Sequence, residues 1–386
     1  MIDLSDYRVV DDHCHPFSPL KESKPFISYL KLSDLAIPEQ DVVNTLLYRH
    51  MVGELSRLLG VSRDRVIDER ERRYRQDPVE YLKLLFEDAR VDTILVDTGF
   101  PSIDNVGYSI DLEEFREIIP CKVREIVRIE GILYDLMREQ RPFNSAVESF
   151  RLQIHDAVSK GAVGLKTIVA YRTGLKVEER AEGEAKKAYE AVASTASKRG
   201  TTREALSEKT GTVKTVFDYF VYLGMEESVR HGLPLQIHTG IGDAPMDLDL
   251  SNPLLLHGLI KDPQAKDARL VLIHGGYPFV EKSGFLAGSY PNVFIDLSEM
   301  IPFSTIGVAE KLLNLLEMTP TNKILYGSDG FNIPELHWLA CKRVKKSLSK
   351  ALWSLVESRE LDEDEAKKIA RQILSENSKR LYRLTD

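Results

Sequence analysis

The sequence predicts an α/β chain folded as a (β/α)8 barrel of the TIM type, and three observations carry that prediction. Eight short apolar runs of strand length are separated by stretches with helical patterning, the alternation that a parallel sheet with crossover helices demands. No Gly-x-Gly-x-x-Gly follows any of these runs, which argues against the alternative architecture, an open doubly wound sheet. Polar residues recur at the C-terminal ends of the runs, where barrel enzymes keep their chemistry.

Length and composition bound the reading. The 386 residues could make one large barrel or two ordinary domains, and the succession of eight strands favours a single domain over 1–386. Hydrophobic residues at 43% and charged residues at 29% match ordinary soluble proteins, so neither a disordered chain nor a membrane protein is expected. A net charge of −8 disfavours binding to a phosphate backbone, so no nucleic-acid partner is expected; a small-molecule substrate is the expected partner. Cys14, Cys121 and Cys341 are too few and too scattered for a disulfide framework and form no Cys-x-x-Cys pair, which fits a reducing cytoplasm. The first residues show no basic stretch followed by a long apolar run, so no signal peptide is expected.

The first strand is Val9-Val10-Asp11-Asp12-His13-Cys14-His15-Pro16. Side chains alternate along a strand, so His13 and His15 share one face, and Cys14 points to the other as a small apolar group packed in the outer layer. The histidine pair reads either as two polar residues ending a strand or as part of a cation site, since divalent ions favour imidazole. From Phe17 to about Glu87 there is too much chain for a bare loop, and we expect a helical insertion at about 17–87 that caps the end of the strand. Leu46, Leu47, Val52, Leu55, Leu58 and Leu59 fall on a helical stripe within it, while Asp68 to Arg75, dense in Arg and Glu, reads as a solvated helix face.

The second strand is Thr93 to Asp97, followed by a turn over Thr98-Gly99-Phe100-Pro101, and the third is Val123 to Ile129. A helix from about Phe143 to Lys160 stops at Gly161 and leads to the fourth strand, Ala162 to Ile168. A second helical excursion, at about 177–231, separates this from the fifth strand, Pro234 to His238. Leu270 to His274, Val293 to Leu297 and Lys323 to Asp329 complete the eight, and an acidic-start amphipathic helix near Glu363 closes the chain.

In a barrel the strand ends gather at one mouth. His13 and His15, Lys166, His238, His274 and Asp329 all lie at such ends, and four of the nine histidines there are hard to ascribe to chance. The metal reading of the His-x-His pair gains accordingly. Tyr171 and Arg172 after the fourth strand could hold a substrate carboxylate or make a structural pair, and Tyr277 and Glu299 could line the mouth or simply pack. His50, His155, His231, His257 and His337 lie in helical or linking segments and read as structural or surface residues.

The segments VVDDHCHPF, GLKTIVAYR, LPLQIHTG, LVLIHGGYP and ILYGSDG, in this order, resemble the amidohydrolase superfamily and within it the amidohydrolase-related branch. GLKTIVAYRTGL and ENSKRLYRL are most similar to the amidohydrolase domain joined to glutamine synthetase in nodulin-type fusion proteins. The resemblance implies His13, His15, His238 and Asp329 as ligands of a divalent metal, zinc first and manganese or iron as alternatives. It also implies Asp329 as the group that takes the proton of the attacking water. One ion is favoured, with His274 catalytic and Lys166 a cationic substrate contact; two ions would require a carboxylated Lys166. The implied activity is hydrolysis of an amide, a γ-glutamyl amide among the options, or of a related carboxyl derivative. Non-oxidative decarboxylation of a small unsaturated or aromatic acid is the alternative, and lactone hydrolysis and uronate-type isomerisation are further enzymatic options. A non-catalytic metal-binding barrel is the third option, disfavoured because every ligand position is filled. A homo-oligomer is expected by analogy.

Overall fold

The computed structural model describes residues 1–17, 25–33, 35–100, 110–199, 205–206, 208, 210–244 and 246–385. Parts of the expected insertion (18–24 and 34), the end of the expected turn (101) and parts of the second excursion (200–204, 207 and 209) lie outside the described residues.

The strands are β1 (Val9–Cys14), β2 (Val91–Asp97), β3 (Lys122–Arg128), β4 (Gly164–Thr167), β5 (Pro234–His238), β6 (Arg269–Ile273), β7 (Val293–Asp296) and β8 (Ile324–Leu325). They form one eight-stranded sheet in chain order, and β1–β2 and the successive pairs from β3 to β7 are parallel. Parallel strands in sequence order, joined by helices, make the fold class a (β/α)8 barrel. β8 is shorter than the run from Lys323 to Asp329 suggests. Part of its backbone bonding goes to a side chain instead of a ladder, since the Ser328 amide donates to Asp11 Oδ1 at 2.8 Å.

We number the longer helices α1 (Leu46–Leu59), α2 (Val66–Gln76), α3 (Pro78–Ala89), α4 (Leu112–Ile118), α5 (Ile129–Arg138), α6 (Phe143–Ser159), α7 (Glu182–Arg199), α8 (Gly211–His231), α9 (Val280–Ser289), α10 (Val308–Leu316), α11 (Pro334–Glu357) and α12 (Glu363–Arg371). Among the described residues no helix is long and apolar enough to cross a membrane. The chain divides into two compact units. One holds Met1–Val123, Gly242–Met246 and Asp296–Arg380, the other Arg124–Ile241, Asp247–Ile295 and Leu381–Asp386.

In the first unit the helix boundaries follow from capping chemistry. Thr45 accepts from the Tyr48 amide to start α1, and Gly60 ends it at φ 71°. Asp77 accepts from the Glu80 amide with Pro78 at the first helical position of α3, and a reciprocal Asp362–Glu365 capping box opens α12. α3 packs on α11, where Trp338 is buried and its Nε1 donates to Asp88 Oδ2 at 2.7 Å. In the second unit Thr210 caps α8, and Gly232 ends it at φ 63°. Phe150 and Tyr189, from α6 and α7, meet the ring of Phe220 on α8 at 5.2 and 6.1 Å. β5 is buried throughout, as a strand covered on both faces must be.

The Asp68–Arg75 run departs from a purely solvated face at one residue. Glu69, Arg72 and Arg73 pair at the surface of α2, but Arg70 is fully buried. Its Nε donates to Glu335 Oε1 at 2.6 Å and its Nη2 to Oε2 at 3.3 Å, while its guanidinium lies over Phe26 (4.7 Å) and Tyr74 (4.3 Å). Tyr81 adds a third donor to Glu335 at 3.0 Å. The pair ties the insertion to the first turn of α11. Arg70→Met leaves Glu335 buried without its cation and is expected to cost about 3–5 kcal/mol in urea unfolding. Arg70→Met with Glu335→Gln should recover part of that loss, and a double variant no more stable than the single one would show that the charge pair is not what holds the insertion.

Candidate metal centre

In the first unit the site is built at the end of β1. His13 is fully buried and His15 nearly so, and the Nε2 of each lies 3.2 Å from the same atom, Asp329 Oδ1. Strand alternation turns both rings to one side, and they meet edge to face with centroids 5.2 Å apart. Backbone bonds fix the third partner, because the Asp329 amide donates to the His13 carbonyl and the His15 amide to the Gly330 carbonyl, both at 2.8 Å. Such proximity requires glycine at two points of ILYGSDG. A Cβ on Gly330 would lie 2.4 Å from the His337 ring, and one on Gly327 would lie 2.5 Å from Asp296 Oδ2.

The hydrogen-bond partner of His15 sets its tautomer. Nδ1 lies 3.1 Å from the Asp97 carbonyl oxygen, which only accepts, so Nδ1 carries the proton and the neutral ring offers a lone pair from Nε2. A lone pair turned toward a carboxylate oxygen is repulsive unless a cation or a second proton is shared. The donor set of two imidazoles and a carboxylate fits a divalent ion. Asp97 belongs to the same cluster, since one ligand atom from each of His13, His15 and Asp97 lies within 4.8 Å of the others. Sequence reasoning placed Asp97 at the end of the second strand without assigning it. The strand-end position that selected the other candidates was the signal that could have found it.

Behind β1, burial pushes the Asp11 carboxyl up to about 8 against two opposing hydrogen bonds from Ser328. His337 on α11 lies 3.9 Å from Asp11 Oδ2, and its two ring nitrogens have no hydrogen-bond partner among the described residues. Burial drives its pKa down to about 3. The Cys14 thiol is pushed well up by burial and donates to the Leu95 carbonyl at 3.5 Å, the behaviour of an inert packed group. Glu299 is buried in the same unit, with its amide 3.4 Å from the Ser328 carbonyl.

In the second unit the strand ends carry another set. Lys166 is buried on β4, in register with Arg128 of β3 and Gln236 of β5. The residue after it, Thr167, donates through Oγ1 to Glu130 Oε1 at 2.6 Å, and the Ile168 amide reaches the same oxygen at 2.8 Å. Burial raises the pKa of Glu130, and the hydrogen bond from Thr167 opposes it. His238 ends β5 with its Nδ1 2.9 Å from His274 Nε2, so one ring donates to the other. The Tyr171 ring lies 4.4 Å from the His238 ring. Arg172 lies over Tyr134 at 5.6 Å, and its buried Nε has no hydrogen-bond partner among the described residues. Tyr277 is held by its carbonyl, which accepts from the Ile241 amide at 2.6 Å beside Gly240. Gly240 sits at φ 70°, and a Cβ there would lie 2.2 Å from that same carbonyl oxygen.

The structure thus brings His13, His15 and Asp329 to one point in one unit, and His238, His274 and Tyr171 together in the other. His274, Glu299 and Asp329 have φ of 70°, 53° and 50°, a left-handed conformation that non-glycine residues adopt mainly where the surroundings impose it.

A family model described as Amidohydrolase matches residues 149–384. The chain belongs to the amidohydrolase family. That match includes Lys166, Tyr171, His238, His274 and Asp329, while His13 and His15 precede it. Protein fluG of Emericella nidulans is 32% identical over 254 residues, which is 65% of this chain and 29% of that relative. The chain therefore spans under a third of the length of the curated relative it matches. A Lactobacillus casei protein, provisionally described as a metal-dependent hydrolase, has a crystal structure that superposes with a TM-score of 0.85 at 27% identity, over 98% of this chain and 96% of that one. The uronate isomerase of Thermotoga maritima shares the fold at 13% identity, with a TM-score of 0.66 over 98% of this chain and 95% of its own.

His337 gives the site a measurable acid limit. Unfolded, its imidazole titrates near its ordinary value of 6.5; folded, it does so near 3. Between those values the unfolded chain holds a proton that the native state excludes, so the contribution to stability is fully present above pH 6.5 and is lost as pH falls toward 3. His337→Leu, whatever its overall stability, should show a shallower fall of melting temperature between pH 7 and pH 4.5 by circular dichroism. Parallel slopes in the two proteins would place the acid sensitivity elsewhere.

Proposed function

We propose that this chain is a hydrolase that uses a divalent cation, zinc first and manganese or iron as alternatives, to cleave an amide or related carboxyl derivative, γ-glutamyl amides among them. The observation that supports it most is the approach of His13 Nε2 and His15 Nε2 to one oxygen of Asp329. The family pattern adds His238 as a further ligand, and one ion is our reading. A cation bound there would polarise a carbonyl and bring the pKa of water toward neutrality.

The chain's own groups then divide the work. Asp329 takes the proton of the attacking water and passes it to the leaving group. His274, hydrogen-bonded to His238, acts as the acid/base partner on the substrate side. Lys166 and Arg172 supply positive charge for a substrate carboxylate, and the buried Arg172 Nε is a donor to which no described acceptor is assigned. Tyr171, Tyr277 and Glu299 complete the lining in this reading. The partner is a small molecule, and we place the protein in the cytoplasm as a homo-oligomer.

The test is metal analysis together with two product assays. We expect a tightly held divalent ion, amine or ammonia release from a panel of γ-glutamyl amides, and loss of both metal and turnover in His13→Ala. Asp329→Asn should lower turnover by about 10²–10⁴-fold, the usual weight of a proton-transfer group. Carbon dioxide release from aromatic or muconate-like acids, without amide cleavage, would replace the hydrolase reading with decarboxylation. A protein that neither retains nor responds to zinc, manganese or iron would remove both.

A further inference from the structure

A cavity of about 490 Å³ lies in the first unit, between the segment after β1 and residues 303–305. Leu30, Leu32, Ile37, Val42, Leu46 and Leu47 give it hydrocarbon walls. Among its polar lining groups, Asp41 and Thr305 add a carboxylate and a hydroxyl, while Lys31, Ser33 and Thr45 are committed to the chain. Lys31 Nζ donates to the Leu35 carbonyl at 2.5 Å, Ser33 Oγ accepts from the Leu35 amide at 3.0 Å, and Thr45 Oγ1 donates to the Val42 carbonyl at 2.8 Å while capping α1. What the recess can offer a visitor is therefore mainly apolar surface. Its volume falls within the roughly 300–1,000 Å³ range of small-molecule sites.

A run of aromatic rings connects this recess to the candidate metal centre. Phe303, which lines the cavity, stacks on Phe331 at 6.5 Å with an interplanar angle of 14°. Phe331 meets Phe100 at 6.4 Å, and Phe100 meets the His15 ring at 5.3 Å. All three phenylalanines are half-buried, so they border accessible space instead of filling a core. Leu46, one of the residues on the helical stripe, is 48% exposed where it lines the cavity, and Ile37, which also lines it, is 40% exposed. A stripe residue left open at the lip of a ligand-sized recess is better explained by a bound apolar group than by incomplete packing.

We propose that this cavity receives a ring-sized apolar group of the substrate, aryl or branched alkyl, and that Phe303, Phe331 and Phe100 form the wall along which the substrate extends toward His15. The inference rests on the hydrolase reading only in taking the His15 end as the reacting end. The substrate class it selects is a carboxyl derivative carrying an apolar arm several bonds from the scissile carbon.

The experiment measures binding without turnover. Calorimetry on the zinc-loaded protein compares 10-phenyldecanoate with decanoate, which share the carboxylate and the chain and differ by the ring. We expect phenyldecanoate to bind about tenfold tighter or better, the effect of burying one ring, and Leu46→Glu and Phe303→Ala each to reduce that preference to about threefold or less. Leu46 is already exposed, so its replacement is compatible with folding, and melting curves check both variants. Equal affinity for the two acids, binding of neither, or a preference undiminished in both variants overturns the proposal. So does a ring-independent dimer, seen by sedimentation and lost in Leu46→Glu, which would make the recess a contact between copies. A preserved ring preference without any amide cleavage would overturn the hydrolase reading and leave the recess in place.

Discussion

The first unit depends on the register between β1 and the segment that follows β8. The Asp12 amide donates to the Tyr326 carbonyl at 2.9 Å, and the two bonds linking His13 to Asp329 and His15 to Gly330 continue the pairing. Side chains alternate with a period of two, so a slip of one residue would turn both histidines away from Asp329 and present Cys14 in their place. The glycines at 327 and 330 permit this register, because any side chain there would collide with Asp296 or His337. Two remote stretches of sequence can offer ligands to one ion because of a backbone constraint, and the chemistry is secondary to it.

Several carboxylates are buried on the strands or at their ends. Asp11, Asp97 and Asp296 are all buried, and each is met by local donors: Ser328 for Asp11, the Gly99 amide at 2.9 Å for Asp97, and the Ser298 amide at 3.0 Å for Asp296. In the second unit Glu130 is buried and receives Thr167 and Ile168. A buried charge without such donors is strongly destabilising, so these groups hold the strand-end loops to one geometry as well as sitting near the candidate ligands. The left-handed φ of Asp329 and His274 persists because the surrounding bonds over-determine it.

Strand positions were legible because apolar runs of four to seven residues with polar ends are what a barrel imposes. β5 begins and ends where its sequence does, at Pro234 and His238. β8 is shorter than its run because the sequence does not reveal that the Ser328 amide bonds to the Asp11 side chain, which interrupts the regular ladder beyond Leu325. His13, His15 and Asp329 could be named in advance since residue type and strand-end position coincide. Asp97 and Glu130 escaped, one as an unremarkable end to its strand and the other as an ordinary acidic start to a helix; only tertiary packing brings them to His15 and Thr167. Arg70 shows the opposite failure, a residue whose neighbours announce a solvated face while its own contacts lie across 265 positions of sequence. His337 was read as structural or surface, and burial with a depressed pKa is its structural form.

Residues 329–335 link these features within the first unit. Asp329 faces the two histidines, Phe331 joins the aromatic run that ends in the cavity, and Glu335 receives Arg70 from the insertion. One short segment thus carries the candidate proton acceptor, part of the apolar wall and the anchor of the helices that border the recess. A rigid connection of this length transmits displacement, because the interiors around it are close-packed and leave no slack to absorb a shift. Loosening the Arg70–Glu335 pair should therefore affect more than stability: the position of Phe331 and the orientation of Asp329 are set by the same stretch of backbone. The insertion is thus tied by a buried ion pair to the same short segment that carries Asp329 and Phe331.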